Sequence, residues 1–491
     1  MEKTEKMPRQ AASAPRMALD LVPMGDGQAD SYGGQERVNN HLPPEVNSKM
    51  LYQDVVRIAW PSMVELTLTQ LASMVDLMMV GQLGPWALSA VGLTTQPKFL
   101  MMTMVMAMNV GATAMVARYK GAGEPEKANA ILRQSFLLTL IISVLTSVVG
   151  YIASEPMVRF MGAADAESLD GGTVYLQIQM IGFVFMALTS TITATLRGIG
   201  NSRTAMLYNL TANAVNVVFN YLLIYGHFGF PRMEVAGASL ATIIGQFVAF
   251  ILAMMAVCRK KSYLRLRIKD DWRPNREHLL NIWNIGAPAM VEQLVMRAGI
   301  IIYSKTVASL GTIAFATHQV CMNIQALSFM NGQAFAVSAT SLVGQSLGKK
   351  RPDMAQAYSR RTRRIGMIIS IILGLVFFFF GGPIAALYSD EPAVISTGAQ
   401  ILMLVALTQP FQSSQFILAG ALRGAGDTRS TAFITFITVL LVRPGLALIM
   451  VNVFHWGLWG AWIALVADQL LRSLLVLLRY NSGKWKLVQM H

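Results

Sequence analysis

The chain has 491 residues, 54% hydrophobic and only 13% charged, where an ordinary soluble domain carries about a quarter charged residues. That deficit excludes a soluble globule, and two cysteines in apolar surroundings, Cys258 and Cys321, exclude a disulfide framework and a cysteine metal site. A net charge of +14 would suit a nucleic-acid partner, but its concentration in alternate loops, with only Arg159 and Arg232 in the others, excludes that reading.

In chain order, residues 1–50 come first. They mix Ala, Pro, Gly, Gln and Asn with six Lys/Arg and seven Asp/Glu, and contain no apolar run. A signal peptide would need such a run, so a disordered cytoplasmic tail is expected. Twelve apolar stretches follow, near 55–81, 88–117, 131–154, 173–196, 204–226, 236–258, 280–308, 314–345, 362–388, 394–420, 430–453 and 457–479. Each is long enough for a helix to cross a hydrocarbon core, which takes roughly 20 residues. Outer-membrane barrels would instead show alternating segments of about ten residues.

The predicted fold is an all-α integral membrane protein with twelve transmembrane helices in two six-helix bundles. The N-terminal bundle covers 51–258 and the C-terminal bundle 279–480. A basic linker at 259–278 joins them, and 481–491 form a second tail. Basic residues cluster at Arg118–Arg133, at Arg259–Arg276 and at Lys349–Arg364, whereas the alternate loops hold Glu155, Asp165, Glu167, Asp170, Glu234, Asp390 and Glu391. By the positive-inside rule both termini are cytoplasmic, in a multi-pass protein of the plasma (inner) membrane.

The halves repeat. Pro61, Met63, Val64 and Glu65 align with Pro288, Met290, Val291 and Glu292, and Leu83-Gly84 with Leu310-Gly311. Further on, Leu196-Arg197-Gly198-Ile199-Gly200 matches Leu422-Arg423-Gly424-Ala425-Gly426. Repeats of like orientation build transporters that rock about a central site. The glycine turns lack the Lys-Ser/Thr of a phosphate loop and read as helix ends whose arginines mark the interface.

An acid inside a membrane helix costs about 2.5–3.5 kcal/mol on insertion scales and usually has a task. Glu65, Asp76, Glu292 and Asp468 are such acids. Glu65 and Asp76 share one face of the first helix with Thr69 and Ser73, so this polar stripe is expected to line a cavity. Asn209, Asn213, Asn216 and Asn220 recur at helical spacing on the fifth helix. They are either partners for a carboxylate or ordinary interhelical hydrogen-bond formers. Glu65 and Glu292 read as cavity walls or as two copies of a structural bend, with Arg297 about one turn from Glu292. Asp468 reads as a local pair with Arg472, four residues on. Asp76 aligns with Tyr303, where the second half carries Arg297, Lys305 and Arg443. His318 reads as a bonded core histidine, and the methionines at 101–108 as lipid-facing filler or adaptable cavity wall.

The pattern Pro61-x-x-x-Glu65, Val75-Asp76, Gly81-x-Leu83-Gly84, with the paired Leu-Arg-Gly-x-Gly turns and Asn216 to Gly226, resembles the multidrug and toxic compound extrusion (MATE) family. The likeness runs over about residues 50–480. It implies two bundles forming a V around a cavity, and antiport driven by protons or sodium. It points to Asp76, with Glu65 and Glu292 next, as ion-coupling residues. Thr69, the four asparagines, Arg297, Tyr303 and Gln412 are expected to line or support the cavity. Many members carry an acid at the position of Asn220, and some carry a sodium-binding acid at that of Gln412. Both are amides here, which weakens a sodium cage and favours protons.

The expected function is export of amphipathic drugs or metabolites by alternating access, without a cofactor or a metal. The chain is expected to be a monomer meeting a small-molecule substrate and membrane lipid. The first rival is a flippase for a lipid-linked precursor, kept alive by Arg297, Lys305 and Arg443. A membrane enzyme finds no support, since no serine triad or metal-spaced Cys/His set is present.

Overall fold

The computed structural model describes residues 17–25, 43–163 and 165–489; among them every regular element is helical. The long spans are α1 (Ser48–Gly81), α2 (Pro85–Gly121), α3 (Pro125–Ile152), α4 (Ala166–Gly198), α5 (Ser202–Tyr225) and α6 (Glu234–Cys258). The second half holds α7 (Arg276–Ala308), α8 (Thr312–Gly348), α9 (Pro352–Ala386), α10 (Pro392–Ala406 and Gln409–Gly424), α11 (Thr428–Asn452) and α12 (Gly457–Asn481). Nine described helices are long and apolar enough to cross a membrane alone, and the two segments of α10 make a tenth. The other two spans, α5 and α8, are long but polar. Many of their polar side chains, among them Asn216, Asn220, Gln325, Asn331 and Gln345, are buried against protein. Twelve helices in two six-helix bundles result, as the sequence predicts.

Local chemistry sets the helix ends. Prolines open α2, α3, α9 and α10, where the first turn needs no donor. Asn47, Asp165, Asn201 and Asn275 accept first-turn N–H groups of α1, α4, α5 and α7. The stretch 394–420, expected as one span, bends by 53° between its segments. Pro410 follows the bend and has no N–H to return to the preceding turn. For the same reason α11 widens into π-helical turns at Phe436–Val442, immediately ahead of Arg443-Pro444.

Within the first half α1 packs on α5, and α4 on α2, α3 and α6; within the second, α10 packs on α8 and α9, and α11 on α7 and α12. Across the halves α2 meets α7 and α8, and α1 meets α8. The tightest crossings lie at the end carrying the basic clusters, here called the basic face. A methyl group on Gly121 would fall on the carbonyl oxygen of Gln345, and one on Gly348 on that of Arg118. Gln345 and Gly348 are the repeat mates of Arg118 and Gly121, so one crossing is made twice. Beside it Ser341 Oγ and Gln345 Nε2 donate to the Gly198 carbonyl at 2.9 and 3.2 Å, and Ser338 Oγ donates to the Val55 carbonyl at 3.0 Å.

Part of the stretch expected as a tail, residues 17–25, lies against this face; 1–16 and 26–42 are outside the described residues. Leu19 and Val22 enter a core with Leu51 and Val55 of α1, Leu342 of α8 and Tyr358 of α9. The Ala18 N–H and the Tyr358 hydroxyl both donate to Asp54 Oδ2 at 2.8 Å, and Asp54 is 2% exposed. Lys349 Nζ donates to the Leu19 carbonyl at 2.6 Å, and burial holds this lysine below its ordinary pKa while Asp20 opposes the shift. Asp54→Ala would leave two buried donors without an acceptor, at about 1–3 kcal/mol each. The variant should melt earlier in detergent and release its N-terminal segment to protease. An unchanged melting temperature and digestion pattern would contradict this anchoring.

Candidate functional site

Helix α1 turns its polar stripe onto α5. Asn209 Nδ2 donates to Glu65 Oε1 at 2.6 Å, Asn213 Nδ2 to Thr69 Oγ1 at 2.8 Å, and Asn216 Nδ2 to Asp76 Oδ2 at 2.7 Å. Asn220 Nδ2 donates to the other oxygen, Asp76 Oδ1. The four asparagines lie three or four residues apart on one face of α5, so they meet successive partners along α1, the last two sharing Asp76. The structure thus brings Glu65, Thr69, Asp76 and the asparagines together, along the α1–α5 contact. Thr69 and Ser73 on this stripe stay exposed beside the contact, so the stripe meets the asparagines along one edge and is open along the other.

Glu65 and Glu292 occupy equivalent environments in the two halves. Arg197 Nη2 lies 2.8 Å from Glu65 Oε1, and Arg423 Nη2 lies 2.8 Å from Glu292 Oε1. Thr431 and Thr435 hydroxyls add bonds to Glu292 at 3.3 Å. Glu65 is 5% and Glu292 2% exposed, each inside its own half. The arginines come from the repeated Leu-Arg-Gly-x-Gly turns, which the sequence had suggested only as interface markers. Arg297 does not neutralise Glu292: its guanidinium lies 3.4 Å from the centroid of the Phe99 ring on α2.

The second half holds a further cluster. Asp468 Oδ2 accepts from Arg472 Nη2 at 3.0 Å, the i,i+4 pair the sequence suggests, and also from Nε of Arg443 at 2.8 Å. All three side chains are buried. Tyr303, the repeat mate of Asp76, donates to the Ala461 carbonyl at 2.7 Å, with Arg443 5.8 Å from its ring. His318 is buried beside Tyr303, Phe315 and Trp462, and Gln412 is buried in the second segment of α10. Neither Tyr303 nor Gln412 contacts Asp76. Removing the carboxylate in Asp468→Ala would strand two buried guanidinium groups, which costs about 3–5 kcal/mol when a buried pair is broken. Loss of folded protein on size exclusion, or a melting temperature lowered by several degrees, is expected; a wild-type melt would contradict it.

Asp76 differs from these acids. Glu65, Glu292, Asp427 and Asp468 each touch an arginine. Among the described residues Asp76 touches only amides. The asparagine Oδ1 atoms of both residues 216 and 220 are buried and unpartnered. Lys98 of α2 is near enough for its charge to act on this half-buried carboxylate, yet among the described residues it makes no ion pair with it, so a change of charge at Asp76 breaks no salt bridge.

The family model MatE matches residues 61–222 and again 288–449, which is the repeat seen in the sequence. The chain belongs to the MATE family. This MATE transporter is 30% identical over 449 residues to a probable multidrug resistance protein NorM of Thermotoga maritima, covering 91% of this chain and 96% of that one. It is 27% identical over 447 residues to the multidrug resistance protein PmpM of Pseudomonas aeruginosa, covering 89% and 93%. Among solved structures, an outward-facing multidrug resistance MATE family transporter superposes with a TM-score of 0.82 at 23% identity, over 88% of this chain and 97% of that chain. A transporter of the same superfamily from Pyrococcus furiosus, described as having a binding pocket of reverse polarity, gives 0.83 at 22% identity, over 89% and 97%. Members of the family are multi-pass membrane transporters, and so is this chain.

Proposed function

We propose that this MATE transporter exports amphipathic drugs or metabolites by alternating access, and that a proton taken up and released by Asp76 is its coupling ion. The observation that carries the proposal is the isolation of Asp76 from every arginine, among the described residues, while the other interior acids are ion-paired. Those paired acids, Glu65 and Glu292 included, then hold helices in place, as in the structural alternative. The multidrug names of the relatives support the substrate class. A cavity for such substrates needs apolar walls and few fixed polar contacts.

Sodium is the second reading, and the unpartnered Oδ1 atoms of Asn216 and Asn220 favour it. Rotating both amides would offer two amide oxygens beside the carboxylate. One negative charge with two amides is still a poor cage for a hard cation, which takes six or more oxygens in its usual protein sites. For the flippase reading the basic side chains matter. Arg443 is held by Asp468, which leaves Arg297 and Lys305 and weakens the case for a basic cavity.

The halves are assigned to 51–258 and 279–480 with 259–278 as the linker, and the basic face to the cytoplasm with both termini. Cysteines placed at 165 and 265, in a Cys258→Ser background because Cys258 is exposed, should label from opposite sides. The transport test uses inverted vesicles, a fluorescent amphipathic dye and an imposed gradient. Dye accumulation under a pH gradient is the expected result. Accumulation under a sodium gradient alone would overturn the proton assignment, and lipid scrambling without dye movement would favour the flippase.

A further inference from the structure

A groove of about 500 Å³ runs along the seam where α2 of the first half meets α7 of the second. Phe99, Leu100, Met157, Phe160, Leu294 and Arg297 line it. Its outer rim is exposed and apolar: Leu100 is 59% and Phe160 90% exposed. Arg297 is the one charged residue in a mostly apolar wall, with Gln96 and Thr103 the other polar lining residues. Its guanidinium carbon lies over the Phe99 ring, 3.4 Å from the centroid, a contact with the π-face that leaves its five N–H donors to find acceptors. Among the described residues it meets no carboxylate and no hydrogen-bond acceptor. Arg197, Arg423, Arg443 and Arg472 are all matched to acids within the protein.

An unmatched guanidinium within membrane depth calls for an anion from outside the chain. We propose that this seam is a binding site for an anionic phospholipid, with the headgroup phosphate on Arg297 and an acyl chain along Leu100, Met157 and Phe160. Charge decides among amphiphiles: a cationic one is repelled by Arg297, and a neutral one leaves the guanidinium donors uncompensated. Depth agrees. With 33 residues α7 is roughly 50 Å long and overshoots a hydrocarbon core of about 30 Å. Arg297 lies past its midpoint, away from the basic face, where a long side chain reaches toward the headgroups. The groove has walls from both halves, so a lipid seated there fastens the seam in the conformer described. The site rests on membrane placement alone and is independent of the coupling ion at Asp76.

Native mass spectrometry of the purified, delipidated full chain tests this, with phosphatidylglycerol, phosphatidylcholine and inorganic phosphate as probes. Wild type should bind phosphatidylglycerol about tenfold more tightly than phosphatidylcholine, the scale of one charge-assisted contact. Arg297→Gln should erase that preference and Arg297→Lys retain part of it. Leu100→Trp keeps the charge but fills the rim, and should also lose the lipid. Phosphatidylglycerol preference that survives both Arg297→Gln and Leu100→Trp would overturn the site. So would equal binding of the two lipids by wild type. Inorganic phosphate that displaces phosphatidylglycerol as well as the lipid itself would show a free-phosphate site and overturn the lipid assignment.

Discussion

Asp76→Asn should abolish uphill transport while leaving substrate binding and folding intact. The carboxylate is held only by amide N–H groups from Asn216 and Asn220. An amide of the same shape keeps one face of that network and loses the charge, so α1 and α5 stay joined while the proton site disappears. Gradient-driven dye accumulation should fall at least a hundredfold, to the level of vesicles lacking the protein. Dye binding, read by fluorescence polarisation, should change less than threefold. Asp76→Ala serves as a second variant, since it removes the partner altogether and should lower stability as well. Full uphill transport by Asp76→Asn would place the coupling elsewhere, with Glu65 and Glu292 next in line.

The second large effect is expected at the crossing of α2 and α8. Gly121 and Gly348 bring their backbones against the carbonyls of Gln345 and Arg118 with no room for a Cβ. Both contacts are backbone, so no side chain can swing aside. Gly121→Ala should push the halves apart on the basic face, at a cost of about 1–3 kcal/mol by analogy with overpacked cores. That shifts the population sealed on this face by about five- to 150-fold, and Gly121→Ala/Gly348→Ala should do more. Spin labels at Lys127 and Asp353, both exposed on the basic face, should report a longer distance. Gly92→Ala is the control, because a methyl there meets nothing within 4 Å. If the double variant keeps the wild-type distance distribution and transport rate, the glycine crossing is not the seal.

Much of this was legible in the residues. Charge-free stretches gave the spans because lipid excludes unpaired charge, and the repeat was visible because both copies keep their prolines and glycine turns. Spacing on α5 announced the asparagine row opposite Asp76. What escaped was pairing at a distance. Arg197 lies 132 residues from Glu65, by subtraction of their positions, and nothing local marks them as neighbours. A signal was nevertheless there: both halves carry the same acid after a proline and the same arginine before the Gly-x-Gly turn. Duplicated opposite charges that face low dielectric are candidates for each other. Helical periodicity showed that the polar residues of α1 share a face, but not that α5 covers part of it while Thr69 and Ser73 stay exposed. Leu19 and Val22 escaped because the short stretch 17–22, broken by Asp20, has no period to read, although it suffices to fill a gap beside α1 and α9.

The central claim is that Asp76 carries the coupled proton, and it is tested most directly by counting protons on the purified transporter. Substrate is added to weakly buffered protein in detergent at a series of pH values, and released protons are read with a pH dye. Wild type should release up to about one proton per chain on binding an amphipathic dye, over a window of about two pH units around the working pH, and Asp76→Asn should release none. Equal release from Asp76→Asn, or no release from wild type alongside sodium-dependent binding, would contradict the account.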